Sequence, residues 1–424
     1  MSAPAVAAAD HYDLVIIGGG PVGASLACAL AEQPLRIAVV EAVGFEAAGQ
    51  PSYDDRAIAL AAGTRRIFEA LEVWPALSPE VSPIHRIHVS DRGHFGFTRI
   101  DRSQQGVPAL GYVTPARALG AALGTRVGAL PAVDLICPAR VERVGVTGPR
   151  ATVALTENGR FRELTTGLVV AADGARSAVR EQLGIGTREW NYGQTALITN
   201  ITPQHDHGQV AFERFTDSGP LAILPLGPRR CAAVWTLQDA EVEAVLALDD
   251  AGFLKRLQER FGFRLGRLEH AGARHAYPLR LVRAAESVGA RLAVIGNAAH
   301  TLHPIAGQGF NLGLRDVAAL AQVIAEAREG GEDIGDLPVL ERYARWRRAD
   351  HRRVIGFTDG LARLFVNPLP PVRAVGDAGM VALDLLPPAK RLFARLTMGR
   401  AGRLPRLACG VPLARPGEGG RRGR

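Results

Sequence analysis

Lysine, cysteine and long apolar runs are all scarce in this 424-residue chain. Only Lys255 and Lys390 are lysines. The rest of the 50 basic residues are arginine, which reads as genomic bias more than as chemistry. The four cysteines, Cys28, Cys137, Cys231 and Cys409, stand far apart, with no Cys-x-x-Cys and no Cys/His ligand spacing. A disulfide framework and a zinc site are therefore not expected, and buried small apolar residues are. The pairs His85/His88 and His205/His207 lack a third ligand in pattern, so no metal is expected. Gly, Pro or Arg interrupts every apolar run before the roughly 18 residues that span a bilayer. The first ten residues are Ala-rich but have neither a basic start nor an apolar core. They are not read as a signal peptide, and the cytosol is the expected compartment. A net charge of +8 could serve nucleic acid, a membrane surface or an acidic substrate. No basic stripe interleaved with aromatics is present, so nucleic acid is not expected as a partner.

What is present begins with about 47% hydrophobic residues, enough for real cores in two or three domains. Asp13-Leu-Val-Ile-Ile-Gly18 reads as a buried strand running into glycines. Gly18, Gly20 and Gly23 then suit a tight turn, close backbone approach to a pyrophosphate, and close helix–strand contact. The helix that follows offers unpaired N–H groups to phosphates. A second strand, Arg36–Val40, ends at Glu41, 18 residues after Gly23, where a carboxylate can accept ribose hydroxyls. This set predicts dinucleotide binding without choosing between NAD and FAD.

A distal stretch makes the choice. Arg291–Ile295 is another buried-strand signal, ended by Gly296-Asn297. Gly307-Gln-Gly309-Phe-Asn311 opens a helix that continues through Leu314, Val317 and Leu320. A polar side chain at a strand end, followed by a helix N-terminus, suits a polyol chain and then an electron-rich ring, as in a flavin. A third segment, Leu168–Arg180 with Asp173-Gly174 and Ser177, again reads as strand, acidic turn and helix start.

These three motifs resemble the class A flavoprotein aromatic hydroxylases, the family of para-hydroxybenzoate hydroxylase. The resemblance runs from about residue 13 to 398 and implies FAD as cofactor and NAD(P)H as co-substrate. Its third motif is normally Gly-Asp; Gly296-Asn297 keeps an acceptor for a ribityl hydroxyl but loses the charge. The cofactor-binding set implied is Gly18, Gly20, Gly23, Glu41, Arg56, Arg117, Asp173, Asn297, Gly309 and Asn311. The fold expected is α/β: a Rossmann-like FAD-binding domain, an inserted β-sheet substrate domain and a helical C-terminal segment. The expected divisions are 10–182, with strands near 85–105 joining the substrate sheet, then 183–282 for the substrate domain. The FAD domain returns over 283–365, followed by helices over 366–414 and a disordered tail over 415–424.

Within the family the chain is similar to the ubiquinone-biosynthesis hydroxylases. Asp54-Asp-Arg-Ala-Ile-Ala-Leu60 matches their early signature and His303–Gly313 their late one. Gly296-Asn-Ala-Ala-His-Thr-Leu-His-Pro304, Ala211-Phe-Glu-Arg-Phe-Thr216 and Thr358–Phe365 resemble the branch that acts on 2-polyprenyl-6-methoxyphenol. Implied partners are a polyprenyl phenol substrate, a ubiquinone-biosynthesis protein complex and a peripheral membrane contact. The last is suggested also by the cationic and apolar mixture in Leu385–Met398. Alternatives are a sister hydroxylase acting at another ring carbon, or a non-catalytic flavoprotein scaffold. The hard chemistry belongs to the flavin, and no catalytic base is assigned. His300 and His303 are candidates for phenol deprotonation or for packing. Phe212, Phe215, Leu221, Ile223 and Leu224 could line a substrate channel or simply fill a core.

Overall fold

Asp10–Ile17 is buried through its C-terminal half, as its unbroken apolar sequence requires when both faces are covered. In the computed structural model, which describes residues 10–44, 56–366 and 370–413, this strand sits at the centre of an eight-stranded sheet. Arg160–Ala171 and then Leu292–Val294 pair on one side; Ile37–Val40 and then Val133–Ile136 pair on the other, all parallel. The strand's period of two splits its side chains between two cores. Leu14 and Ile16 pack with the helices Pro21–Leu30 and Gln308–Glu329, while Val15 and Ile17 pack with Val153, Val169 and Val294. Each such side chain taken from water contributes about 1.5–3 kcal/mol. Asp54, Asp55 and the 415–424 tail lie outside the described residues.

A second sheet of nine described strands takes Arg86–Asp91 and Phe97–Asp101 from early in the chain. It takes Thr187–Pro203, Val210–Phe215, Pro220–Pro225, Cys231–Gln238, Leu268–Ala271 and His275–Ala284 from the middle. Its last strand is His300–Thr301, which pairs with Val282 and Arg283. The division expected at 282/283 therefore does not separate the sheets, because the strand runs on to Ala284 and the return segment adds to its edge. One face of this sheet packs Leu197, Leu221, Ile223 and Trp235 under Phe253 and Phe261 of the helix Asp250–Phe261. A small sheet of Ala57–Ala61, Ser82–Ile84 and Gly111–Pro115 stands between the two large ones. The helices Leu337–Val366, Pro370–Leu385 and Pro387–Thr397 complete the chain.

No helix among the described residues is long and apolar enough to cross a membrane. Of the cysteines, Cys28 and Cys231 are buried as expected, but Cys137 is half-buried and Cys409 exposed. At the latter turn Leu407 and Ala408 take the inward positions and leave the thiol outside.

Candidate active site

Four segments converge at the C-terminal ends of the parallel strands, the place where open α/β sheets hold ligands. Gly18 has φ of +104°, and a Cβ there would lie 2.5 Å from the Ala172 carbonyl oxygen. A Cβ on Gly23 would lie 1.9 Å from the Gly18 carbonyl oxygen, so only glycine lets the helix begin so close to the turn. Gly20 is the N-cap of that helix and has no side chain to cover its N–H groups. Glu41 reaches back across the turn: its Oε2 accepts from Gly19 N–H at 2.6 Å and its Oε1 from Val43 N–H at 2.9 Å. Asp173 accepts from Val179 N–H at 3.2 Å through Oδ2, while Oδ1 is buried without a protein partner. This cradle suits a dinucleotide: close-set backbone for a diphosphate, a carboxylate at the second strand's end, and an unused buried acceptor nearby.

The distal segment closes the cradle. Gly296, with φ of +61°, packs on Val22, and Gly313 packs on Gly296, so the strand end and both helices meet at glycines. Asn297 is exposed beside this turn. A Cβ on Gly309 would meet nothing within 4 Å, which leaves room above the first turn of Gln308–Glu329. Helix geometry leaves the N–H groups of that turn without intrahelical acceptors, and they carry partial positive charge.

Asn311, expected among the ligands, has its side chain wholly committed to the protein. Its Oδ1 accepts from Ala61 N–H at 2.8 Å and from the Thr64 hydroxyl at 2.6 Å. Its Nδ2 donates to the Ala59 and Gly307 carbonyls. The amide locks the helix start to the strand Ala57–Ala61 and so positions the turn. Arg56 directly precedes that strand, with its guanidinium 4.8 Å from the centre of the Tyr277 ring in the second sheet. Arg117 lies farther out, half-exposed on the helix Ala116–Gly128, with Glu80 at 3.7 Å.

A cavity of about 610 Å³ extends from this point. Ala59, Gly307, Gln308 and Asn311 form the end beside the Gly307–Gly309 turn, and the second sheet forms its floor. Alternation along the strands sorts the apolar residues that the sequence left undivided. Phe215 and Leu224 face the cavity and Phe212 borders it, but Leu221 and Ile223 point to the opposite face and fill the core under Phe253. Phe393, Ala394, Thr397 and Met398 close the roof at helical spacing, and Val375, Gly379, Met380 and Leu383 form the far end. Val375 lines the cavity while remaining 68% exposed, so it marks an opening to solvent.

Neither candidate histidine reaches this cavity. His300 is buried, with Nε2 2.7 Å from Asp316 Oδ2, within a network described below. His303 packs edge-on to Tyr192 with its rings 5.1 Å apart, and burial pushes its pKa down to about 4. Both belong to the packing beneath the site. His300, Asp316 and His351 bring ligand atoms together as a metal site would, but Arg347 already lies 2.6 Å from the same carboxylate. What the sequence did not single out is Glu213. It stands in Val210–Phe215 between the inward-facing Ala211 and Phe215, and its side chain lines the cavity. A carboxylate at an inward position of an otherwise apolar alternation was the available signal.

An FAD binding domain family matches residues 11–358. Ubiquinone hydroxylase UbiL of Rhodospirillum rubrum is 40% identical over 97% of this chain and 96% of its own length. 3-Demethoxyubiquinol 3-hydroxylase of Escherichia coli is 33% identical over 91% of this chain and 98% of its own. Among solved structures, p-nitrophenol 4-monooxygenase PnpA of Pseudomonas putida superposes with a TM-score of 0.75 at 20% identity. That match covers 93% of this chain and all of the other.

Proposed function

The chain belongs to the FAD-dependent aromatic hydroxylases, and from that premise we propose that it hydroxylates a polyprenyl phenol of ubiquinone biosynthesis, using NAD(P)H and O2. The observation that carries this reading is the cavity. It is almost wholly apolar, begins at the cofactor turn and opens beside Val375, as a phenol with a long isoprenoid tail requires. When bound and reduced, FAD supplies the oxygen-activating chemistry. The residues of this chain hold it at Gly18–Gly23, Glu41, Asp173 and the turn Gly307–Gly309. They seat the ring against that turn and keep water out with Ile198, Val234, Phe357 and Phe393. The finer assignment, to 2-polyprenyl-6-methoxyphenol, rests on the Gly296–Pro304 string. The test is aerobic turnover of FAD-loaded protein with a short-chain 2-prenyl-6-methoxyphenol, the product identified by mass spectrometry and NMR. Gain of one oxygen at the carbon para to the hydroxyl is the expected result. Gain at another carbon would reassign the ring position, and no product from any phenol of the series would sink the reading.

A membrane surface is the partner that fits the cavity's opening. Leu385, at the end of the helix that carries Val375, is exposed, as are Leu386, Leu392 and Leu396 that follow, and Arg391 and Arg395 are exposed on the same helix as the last two leucines. Apolar side chains among guanidinium groups match an anionic bilayer interface, from which a prenyl phenol could enter directly. Co-sedimentation with phosphatidylglycerol vesicles should exceed that with neutral vesicles. The double variant Leu386→Glu/Leu392→Glu should bind about tenfold or more weaker, since each buried leucine is worth about 1.5–3 kcal/mol. Turnover of a short, water-soluble phenol should be unaffected. Equal binding by the variant would reject this surface.

A further inference from the structure

We propose that Glu213 is a catalytic residue of this site: its carboxylate receives the hydrogen bond of the substrate phenol and takes the phenolic proton. The proposal deepens the reading of the cavity as a phenol site and rests on it.

Among the described residues that line the cavity, Glu213 is the only one with an ionisable side chain. Its neighbours across the sheet are Val89 on the parallel strand and Ala222 on the antiparallel one, neither able to hydrogen-bond through its side chain. No ion pair or hydrogen bond engages its carboxyl among the described residues. Glu213 is half-buried, and an unpaired carboxylate facing an apolar cavity costs stability without return to the fold. Burial alone pushes its pKa up to about 7.

Charged groups on the surrounding elements are already engaged elsewhere or face away. Arg214, next along the strand, points to the other face and donates to the Phe261 carbonyl at 2.8 Å. His88, on the neighbouring strand, packs against Phe97 and Phe212. Asp377 and Asp384, on the helix across the cavity, pair with His94 and Lys390. On the long helix, Asp359 accepts from Tyr192 and pairs with Arg363. None of these lines the cavity.

The position along the strand is suitable. Ala211 and Leu224 pack with Ala57 at the cofactor end, and Phe215 packs with Met380 at the far end. Glu213 lies between them, about 7 Å from each along the strand at two residues apiece. A phenol ring beside the cofactor turn, with its tail toward Met380, brings its hydroxyl within reach of this side chain.

The step balances simply. The phenolic O–H bond breaks, an O–H bond forms on Glu213, and the electron pair stays on the phenolate oxygen, enriching the ring. The same proton returns to the oxygen as product forms. A phenol titrates near 10, so a carboxyl near 7 is a far better-matched acceptor than one at the usual 4.5. The competent form is the carboxylate. It is present above about pH 7 and lost as pH falls through that value.

The experiment uses FAD-loaded protein, with Glu213→Gln and Glu213→Asp beside the unaltered chain. The first readout is calorimetric affinity for a short-chain 2-prenyl-6-methoxyphenol against its methyl ether, which cannot donate a proton. The unaltered protein should prefer the phenol by about tenfold, and Glu213→Gln should lose that preference while keeping its affinity for the ether and for FAD. Its kcat should fall on the order of 100-fold or more, and the rise of kcat through pH 7 should vanish. Glu213→Asp should keep the rise with a lower kcat. A Glu213→Gln protein with the unaltered pH profile and phenol preference would overturn the proposal. Phenol preference that depends on Glu213, in a protein that hydroxylates no phenol, would instead defeat the functional reading and leave the anchoring role standing.

Discussion

Gly23→Ala yields a protein that binds FAD on the order of 100-fold more weakly, or that is purified without it. A methyl group is the smallest addition possible, yet its carbon would sit 1.9 Å from the Gly18 carbonyl oxygen and 3.2 Å from the Ile16 side chain. Both contacts lie within the cradle. The helix Pro21–Leu30 must therefore retreat from the turn by roughly 1 Å or more to restore ordinary contact distances. That retreat carries away the N–H groups that would face the diphosphate, and hydrogen bonds to an anion weaken steeply with distance and angle. A loss of about 2.7 kcal/mol corresponds to the 100-fold drop. Flavin absorbance of the purified protein and a fluorescence titration of the apoprotein measure it. Gly128→Ala is the matched control: nothing lies within 4 Å of its would-be Cβ, at the end of Ala116–Gly128. It should retain its flavin. Full FAD affinity in Gly23→Ala would mean that the cofactor is held elsewhere.

Asp316→Asn has the second large effect, on stability. Asp316 is fully buried on the helix Gln308–Glu329 and serves three partners: His300 and His351 at 2.7 Å, and Arg347 at 2.6 Å. Arg347 is itself buried and reaches Asp350, which also holds Arg315 at 2.8 Å. Burial alone would raise the pKa of Asp316, but the His351 imidazole and the Arg347 guanidinium more than offset it and hold the group well below the usual range. An amide in its place leaves Arg347 with one carboxylate shared with Arg315. The expected loss is about 3–5 kcal/mol, typical of breaking a buried pair from one side. On a chain of this size that lowers Tm by about 3–6 °C. A carboxylate whose pKa is depressed on folding contributes its stability above the unfolded value. The contribution is lost only as pH falls through the folded value. The carboxyl's own share of the gap between the two proteins should therefore persist across the range from pH 8 to pH 5 and close only in stronger acid. Thermal unfolding across that range checks it, and a gap under 1 kcal/mol at pH 7 would show that the network is not cooperative.

The network has a consequence for the site. It ties the segment after Gly296 and the helix that starts beneath the cavity to the long helix Leu337–Val366. A charge lost at Asp316 should therefore also loosen the turn Gly307–Gly309, and the variant's flavin should dissociate faster than that of the unaltered protein.

How far the chain could be read in advance differed by element. The turn Gly18–Gly23, the strands on either side of it and Glu41 were readable because each depends on local geometry: a tight turn, a covered strand, a helix start. The strand that carries Glu213 was recognised, but period two gives two faces without saying which one borders a void and which one a helix. Asn311 was placed at the right helix start, while its bonds to Ala59 and Ala61, some 250 residues earlier, could not be seen from spacing. His300 and His303 invited a chemical role by their position in the distal motif; packing against Asp316 and Tyr192 gave them a structural one.

By itself, then, the sequence determined the α/β class and the dinucleotide turn, which follow from short-range periodicity and from glycines where no side chain fits; the kinship with flavin hydroxylases rested on the resemblance of its three motifs. Only the tertiary structure decided which residues enclose the cavity, where it opens, and that a single carboxylate, among the described residues, lines it. Those properties belong to surfaces assembled from strands near 90, 213 and 235 and from helices beyond 370, and no local rule fixes how such distant segments face one another.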